Sequence, residues 1–397
     1  MAGAGDTVGL PTHWSETENV VWKVEIPPFG WSTPVVQGND IWLTTATEDG
    51  RDFFAICVDV GTGKIRINEK LFHCDNPEPL NNGVNCYASP SPVIEPGRVY
   101  VHFGSYGTAC LDTATGKPVW KREDLPCRHF RGPGSSPIVF KNLLFLTFDG
   151  VDQQYLAALD TKTGETVWRT DRSTKWTDYD EQGNLIREGD FRKGYSTPIV
   201  FDVNGKSQVL SPGSACAFAY DTATGKELWA LRYDGYTPAA RPVYADGVAY
   251  IISGRGKASL SAVRVDGNGD VTESHRAWKY EGPELPTEPS PVLVDGLLFL
   301  LSNNGTVTCL DAAKGEVIWT DRIGGNYVAS PILADGMLYC CSTQGKTTLI
   351  KAGRALEVVA TNSLDEGFMA SPAVAGGALI LRTKTHLYRI ENQAGES

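Results

Sequence analysis

Three absences from the 397-residue sequence bound what the protein does. It has no Lys/Arg-rich run, and 36 basic against 47 acidic residues give a formal net charge of −11, so a nucleic-acid partner is not predicted. No apolar run reaches the roughly 18 residues of a membrane-spanning helix, so no transmembrane segment is predicted. The start, MAGAGDTVGLPTHW, has neither a basic nor an apolar segment, so no signal peptide is predicted in the chain as it stands. A signal already removed would leave the same start.

Cysteine is too dispersed for a small disulfide scaffold, because only nine occur over the whole length. A hydrophobic content of 41% and an aromatic content of 10% instead support a large buried core. The length suits two or three average domains or one large all-β body. Four cysteines lie in apolar, strand-like segments and are expected to be small buried hydrophobic residues: Cys57, Cys110, Cys216 and Cys309.

The motif Asp-x-x-x-Gly-x-x-x-Trp recurs along the chain. Complete copies occupy 112–120, 160–168, 221–229 and 311–319, and a degenerate copy without Trp occupies 59–67. The Asp can accept hydrogen bonds from turn amides and the Gly supplies a positive φ, so the motif is typical of a turn between two strands. The Trp is large enough to fill the wedge between neighbouring sheets.

A second repeat is a proline that opens a short apolar run. It occurs eight times, at intervals of 40 to 61 residues, at positions 34, 92, 137, 198, 242, 291, 331 and 372. The preceding residue is Ser or Thr in seven copies and Arg241 in the eighth. A unit of about 40 residues with several short strands is typical of a propeller blade.

One copy shows the four strands of a blade. After Pro291 the runs VLV, LLFLLS, TVTCLD and EVIWTD are separated by Gly/Asn/Asp turns, which predicts an antiparallel meander. The last copy ends after its third strand, and the N-terminal segment 18–26 supplies an unpaired one. The sequence therefore predicts one all-β domain, 1–397, folded as an eight-bladed β-propeller of four-stranded antiparallel blades and closed by the N-terminal strand.

The Asp-x-x-x-Gly-x-x-x-Trp copies resemble the tryptophan-docking motifs of the PQQ-like β-propeller superfamily, and the resemblance covers nearly the whole chain. That superfamily includes quinoprotein alcohol dehydrogenases, the BamB-type lipoprotein of the outer-membrane assembly machinery and many exported bacterial proteins. The resemblance implies an exported, periplasmic location. The function expected first is a binding or scaffold module for a small molecule, a saccharide or another protein.

The ligand site is expected where the loops between blades are long and irregular. Three such loops, 72–88, 122–134 and 171–195, should lie on the face opposite the regular turns. Aromatic and charged residues shortly before the repeated prolines could stack on a sugar or a flat ligand and pair with its acidic groups. The expected ligand-binding residues are Trp31, Lys193, Tyr236, Glu288, Asn326, Tyr327 and Phe368.

Two enzymatic alternatives stay open. A carbohydrate-active lyase would use an Arg to neutralise a uronate and a His or Tyr to move a proton. Its catalytic set would be Tyr87, His129, Arg131, Tyr195 and Arg241. A quinoprotein oxidoreductase would bind PQQ and Ca²⁺, but the adjacent cysteines at 340 and 341 lie inside a predicted strand. No cofactor is predicted.

Loop cysteines and histidines on the irregular face raise the question of a metal. His73, Cys74, Cys86, Cys127 and His129 fit no compact zinc spacing, so no metal site is predicted. Since the resemblance implies an exported protein, a disulfide between the first two loop cysteines is left open.

Overall fold

The computed structural model describes residues 9–80, 83–174, 181–182, 184 and 189–392. These residues form eight four-stranded antiparallel sheets, in which the first strands of neighbouring blades contact one another around a central channel. The predicted fold class is confirmed. Within the same ranges the structure has no helix with the length and hydrophobicity that a membrane crossing requires.

Blades one to four follow β1 (Val20–Glu25), which belongs to the last blade. Blade one contains β2 (Val35–Gln37), β3 (Asp40–Ala46), β4 (Asp52–Asp59) and β5 (Ile65–His73). Blade two contains β6 (Val93–Glu95), β7 (Arg98–His102), β8 (Thr108–Asp112) and β9 (Pro118–Arg122). Blade three contains β10 (Ile138–Phe140), β11 (Leu143–Asp149), β12 (Gln154–Asp160) and β13 (Thr166–Asp171). After a short 3-10 helix at Gly189–Arg192, blade four contains β14 (Ile199–Val203), β15 (Lys206–Gly213), β16 (Cys216–Asp221) and β17 (Glu227–Arg232).

Blades five to eight carry the remaining strands. Two-residue strands β18 (Gly235–Tyr236) and β21 (Arg255–Gly256) pair with each other, and blade five contains β19 (Val243–Ala245), β20 (Val248–Ile252), β22 (Leu260–Arg264) and β24 (Arg276–Tyr280). Between its last two strands lies β23 (Gly269–Asp270). Blade six contains β25 (Val292–Val294), β26 (Leu297–Leu301), β27 (Thr306–Asp311) and β28 (Val317–Arg322). Blade seven contains β29 (Ile332–Ala334), β30 (Met337–Cys341), β31 (Lys346–Lys351) and β32 (Val358–Ser363). Blade eight contains β33 (Ala373–Ala375), β34 (Ala378–Arg382) and β35 (His386–Ile390).

The N-terminal strand completes blade eight. β1 pairs antiparallel with β35, with Trp22 opposite Arg389. The predicted closure is therefore confirmed, and the two ends of the described chain share one sheet. The core lies between blades, because the middle strands are sandwiched by two neighbours: every residue of β11 and β26 is buried, whereas β1 alternates between half-buried and exposed positions.

The repeated Trp packs on the glycine turn of the next blade. The Trp120 Nε1 donates to the Thr161 carbonyl at 3.0 Å, and the indole covers Gly164, whose φ is +74°. Four other tryptophans make the equivalent bond to the following blade, at 2.8 to 3.0 Å: Trp22, Trp168, Trp278 and Trp319. The predicted role of the Trp between blades is confirmed at these five positions.

Trp229 in blade four departs from this pattern. Its Nε1 donates to Gln208 Oε1 of its own blade, at 2.9 Å. The reason lies in blade five, where the last turn is a longer insertion without the glycine motif. That insertion contributes β23, which pairs in parallel with β17 and covers the outer edge of blade four.

We expect Gly164→Ala to destabilise the protein far more than Gly247→Ala. A Cβ at Gly164 would lie 2.6 Å from the Trp120 ring, whereas a Cβ at Gly247, where φ is +80°, would have no atom within 4 Å. Left-handed backbone should cost both variants about 1–2 kcal/mol, and displacement of the indole should cost Gly164→Ala a further ~1–3 kcal/mol. Urea unfolding measures both, and equal losses would contradict the docking role of the Trp.

Candidate functional site

A ring of hydrogen bonds joins the blades at the channel. At most blade junctions, the backbone N–H of the residue before the repeated proline donates to the Ser or Thr hydroxyl at the same position of the next blade. The N···O distances lie between 2.8 and 3.2 Å. The hydroxyl acceptors are Thr33, Ser91, Ser136, Thr197, Ser290, Ser330 and Ser371. The ring gives the physical reason for the Ser/Thr rule in the sequence.

Arg241 interrupts the ring between blades four and five. Its own N–H donates to Ser290 Oγ at 2.9 Å, but it has no hydroxyl to accept from Thr197, and that amide makes no ring bond within the described ranges. Two other bonds join these blades: the Tyr195 N–H donates to the Pro238 carbonyl at 2.7 Å, and Ser196 Oγ donates to the Ala240 carbonyl at 2.9 Å. Seven of the eight junctions therefore have the ring hydrogen bond, and at the eighth an arginine side chain stands in place of the accepting hydroxyl.

The ring residues line a cavity of about 580 Å³ at the channel mouth. Its wall has two layers, which are the residues one and three positions before each repeated proline. Residues two positions before are buried against the blades, as the alternation of extended backbone requires. The upper layer consists of Trp31, Ser89, Gly134, Tyr195, Ala239, Glu288, Val328 and Met369.

Seven of the twelve predicted site residues line this cavity. They come from the loops before five different blades and so meet only in the folded chain: Trp31, Arg131, Lys193, Tyr195, Tyr236, Arg241 and Glu288. Arg255 also lines the cavity and was missed by sequence reasoning. It stands on the turn between the second and third strands of blade five. Such turns open on the same face as the loops between blades, which is the signal that could have found it.

Tyr327, Phe368 and Asn326 lie outside the cavity. Tyr327 and Phe368 precede their prolines by four positions, so the alternation of the backbone turns them into the blade interfaces, where each is 1% exposed. Their neighbours Val328 and Met369 face the channel instead. Asn326 is exposed at the surface, and its N–H donates to Gln344 Oε1 at 3.0 Å. The expectation that these three side chains stand at the channel mouth was wrong by one or two residues of register.

Tyr87 lines a separate side cavity of about 320 Å³ between the loops of blades one and two. Its hydroxyl donates to the Glu78 carbonyl at 2.6 Å, and its ring packs edge-on against Phe53. The side cavity and the central cavity share Trp31 and Asn85 as walls. Tyr87 is thus separated from the other members of the predicted catalytic set.

His129 is buried beneath the turn of blade two. Its Nε2 accepts the Ser105 N–H at 3.0 Å, and Cys127 Sγ lies 3.9 Å from its Nδ1. Burial lowers the pKa of His129 to about 4. The His129 imidazole holds the loop that precedes blade three against blade two. It does not line the central cavity, so the structure does not place it beside Arg131 and Arg241.

The long loop before blade four is anchored by a buried ion pair. Arg172 Nε and Nη2 lie 2.6 and 2.7 Å from the two Asp149 carboxylate oxygens, and both side chains are at most 1% exposed. The same guanidinium donates to the carbonyl and the hydroxyl of Ser211. Removing either charge would leave the other buried without a partner. Much of the predicted loop 171–195, namely 175–180, 183 and 185–188, lies outside the described residues.

The charged side chains of the cavity differ in their partners. Arg255 Nη2 lies 2.6 Å from Glu288 Oε1, and Glu288 also accepts from Asn303 Nδ2. Arg241 is half-buried, its Nε is buried without an acceptor, and no described carboxylate is within ion-pair distance. Burial lowers the pKa of Arg241. Arg241 therefore places in the cavity wall a charge that has no ion-pair partner among the described residues, at a cost in desolvation.

The described residues do not fit a quinone–calcium assembly. All nine cysteines are free thiols, so the Cys74–Cys86 disulfide left open by the sequence is not formed. Cys340 and Cys341 are buried on opposite faces of β30, in different blade interfaces, and neither lines the cavity. Among the described residues no three His, Cys, Asp or Glu side chains cluster as metal ligands.

We expect His129→Gln to flatten the acid sensitivity of the fold. The unfolded chain protonates its histidines near pH 6.5, while native His129 resists protonation until about pH 4, so unfolding becomes easier as the pH falls between these values. At about 1.4 kcal/mol per pKa unit, the variant should lose roughly 3 kcal/mol less over that range. Urea unfolding at several pH values tests this, since Gln keeps an acceptor for the Ser105 amide. An unchanged slope would contradict burial of the ring.

Comparison with known proteins gives the same repeat and the same fold. A family model described as outer membrane protein assembly factor BamB matches residues 13–168 and 152–397. The protein of that name from Shewanella oneidensis is 24% identical over 261 residues, which cover 61% of this chain and 59% of the relative. The protein of that name from Yersinia pestis is 23% identical, with 54% of this chain and 51% of the relative covered. The chain thus spans less than two thirds of these relatives' length.

Two solved structures share the fold at low sequence identity. BamB from Moraxella catarrhalis superposes with a TM-score of 0.64 at 14% identity, covering 95% of this chain and 98% of that one. Quinohemoprotein alcohol dehydrogenase from Comamonas testosteroni superposes with a TM-score of 0.70 at 13% identity, covering 97% and 79%. These likenesses extend to the propeller architecture alone. Because the family model covers the whole propeller, the chain belongs to the family described as outer membrane protein assembly factor BamB.

Proposed function

We propose that the protein is an exported binding or scaffold propeller, whose ligand or partner docks in the central cavity of the irregular face. The observation that carries the proposal is Arg241. Its guanidinium lies in the wall of a 580 Å³ cavity, at a position that Ser or Thr fills in the other seven blades. A cavity of this size falls within the range of small-molecule sites.

The energetic cost of Arg241 supports this reading. Relative to Ser or Thr, it forgoes a ring hydrogen bond of about 0.5–1.5 kcal/mol, and its buried Nε lacks an acceptor. A residue that destabilises the free protein in an otherwise regular repeat is typical of a binding site, where stability is given up for function. Described residues of all three long loops, Val84, Arg131 and Lys193, line the cavity, which fits the same interpretation.

The family supports export and partner binding. The relatives are named as outer-membrane assembly factors, so for this chain we propose an extracytoplasmic location and a role in holding a ligand or partner protein rather than in spanning a membrane. The name of the relatives does not identify the ligand. The identity of the ligand therefore has to follow from the chemistry of the cavity.

The geometry favours binding over acid–base catalysis. Arg131, Tyr195 and Arg241 line one cavity, but His129 and Tyr87 lie elsewhere, so the proposed lyase set is not assembled. We expect incubation with uronate oligosaccharides to give no increase in the absorbance of unsaturated products. Sustained product formation that Tyr195→Phe abolishes would contradict the binding proposal and favour the lyase.

We expect Arg241→Ser to stabilise the free protein and to abolish ligand binding. The new serine hydroxyl can accept a hydrogen bond from the Thr197 N–H, and the substitution removes a desolvated charge. The free energy of unfolding should therefore rise by about 1–2 kcal/mol. Arg354→Ser is the matched control: it removes an exposed arginine from the turn between the third and fourth strands of blade seven, outside the cavity, and should change the free energy of unfolding by less than about 0.5 kcal/mol.

Urea unfolding gives the stabilities, and a thermal-shift panel of acidic and neutral saccharides, acidic peptides and organic acids gives binding. A ligand whose shift is lost in Arg241→Ser and kept in Arg354→Ser supports the proposal. The proposal is wrong if no ligand in the panel shows this dependence on Arg241.

A further inference from the structure

The cavity wall offers a ring of hydrogen-bond donors. Each ring hydroxyl accepts one backbone N–H from the preceding blade and uses one lone pair to do so; for Ser290 the donor is the Arg241 N–H. A hydroxyl also carries one hydrogen to donate. Within the described ranges none of the seven ring hydroxyls donates that hydrogen to a protein acceptor, and all seven line the cavity. The ring amides therefore bond to the ring hydroxyls, and the hydroxyl hydrogens remain available to a ligand.

Three buried polar atoms at the same wall lack partners. They are Arg241 Nε, Trp31 Nε1 and Thr237 Oγ1, and their residues all line the cavity. The guanidinium and indole nitrogens can only donate, and the hydroxyl can donate. A buried donor without an acceptor destabilises the protein. An acceptor is the group that would satisfy such donors, and Trp31 and Arg241 belong to blades one and five, on opposite sides of the channel.

The charge of the wall has the same sign. The carboxylate of Glu288 is already paired with Arg255, whereas Arg241 has no described carboxylate partner. The whole chain carries a formal net charge of −11, so a cation in the channel is a local feature and not a consequence of overall composition. An anion attracted to this cavity is attracted by the cavity itself.

We propose that the central cavity binds a compact oxyanion with two or more carboxylate or phosphate groups. One group is held by the Arg241 guanidinium, and the others accept from ring hydroxyls around the channel. This inference rests on the proposed function, because it names the ligand class of the same site. A neutral sugar can bond to the ring hydroxyls but leaves the charge of Arg241 without a counterion. A single phosphate reaches Arg241 but not the hydroxyls on the opposite side.

Titration calorimetry with the full-length protein tests the charge and the valence of the ligand. The probes are inositol hexakisphosphate, citrate, inorganic phosphate and myo-inositol. We expect at least one polyanion to bind at least tenfold more tightly than inorganic phosphate, and myo-inositol, the neutral match of the hexakisphosphate, not to bind. Binding of citrate alone assigns the site to carboxylates, and binding of the hexakisphosphate alone assigns it to phosphates.

Variants separate a built site from general attraction to charge. Arg241→Ser should weaken the polyanion at least tenfold, while Arg354→Ser, which removes the same charge outside the cavity, should change its affinity less than threefold. Ser330→Ala removes one hydroxyl far from Arg241, so it should weaken the polyanion severalfold and leave inorganic phosphate unchanged. A melting temperature of Ser330→Ala close to that of the unsubstituted protein would show that the variant remains folded.

Three results overturn the inference: neither polyanion binds, the neutral match binds as tightly, or Arg241→Ser and Arg354→Ser weaken binding equally. If a neutral compound of the wider panel binds in an Arg241-dependent way, the ligand class is wrong and the binding function stands. If nothing depends on Arg241, both fail.

Discussion

The hydrogen bond from an amide of one blade to the Ser or Thr hydroxyl of the next is the interaction on which the architecture of the site depends. A single bond of this kind is worth about 1 kcal/mol, but seven of them act at the innermost radius, where the blades are closest. They hold the entry strand of each blade in one register. That register decides which side chains face the channel, so the same bonds that close the propeller also build the cavity wall.

The tryptophans hold the outer radius. Trp120 on Gly164 is one of four contacts in which an indole covers a glycine turn and donates to a neighbouring carbonyl, and Trp319 makes the bond alone. With the ring inside and the indoles outside, each blade is fixed at two radii. The loops on the irregular face are then free to differ in length without disturbing the sheets. This separation of scaffold from loops is what allows one repeat to carry unrelated sites.

The fold could be predicted from the sequence because its signals are local and recur along the whole chain. The glycine turn, the Trp and the Ser/Thr-Pro step each report their own place in a blade, and the unpaired segment 18–26 reports closure. The site was less readable. The placement of Tyr327 and Phe368 depended on a one-residue register that alternation could have supplied. The burial of His129 could not be foreseen, since it results from the loop of blade three packing on a turn of blade two, which has no local signature.

Two irregularities of the repeat fall on the same junction. Between blades four and five the ring link is missing at Arg241, and Trp229 turns back into its own blade instead of docking on the next. Backbone pairing of β23 with β17 and the bonds from Tyr195 and Ser196 join the two blades there. The junction between blades four and five is therefore held by its own set of hydrogen bonds, and it is the one junction of the described propeller without the ring bond. We expect local opening of the propeller to begin at this junction, because it lacks the ring hydrogen bond. An anion bound at Arg241 would raise the free energy of that opening. Ligand binding in the channel and closure of the propeller would then be thermodynamically linked.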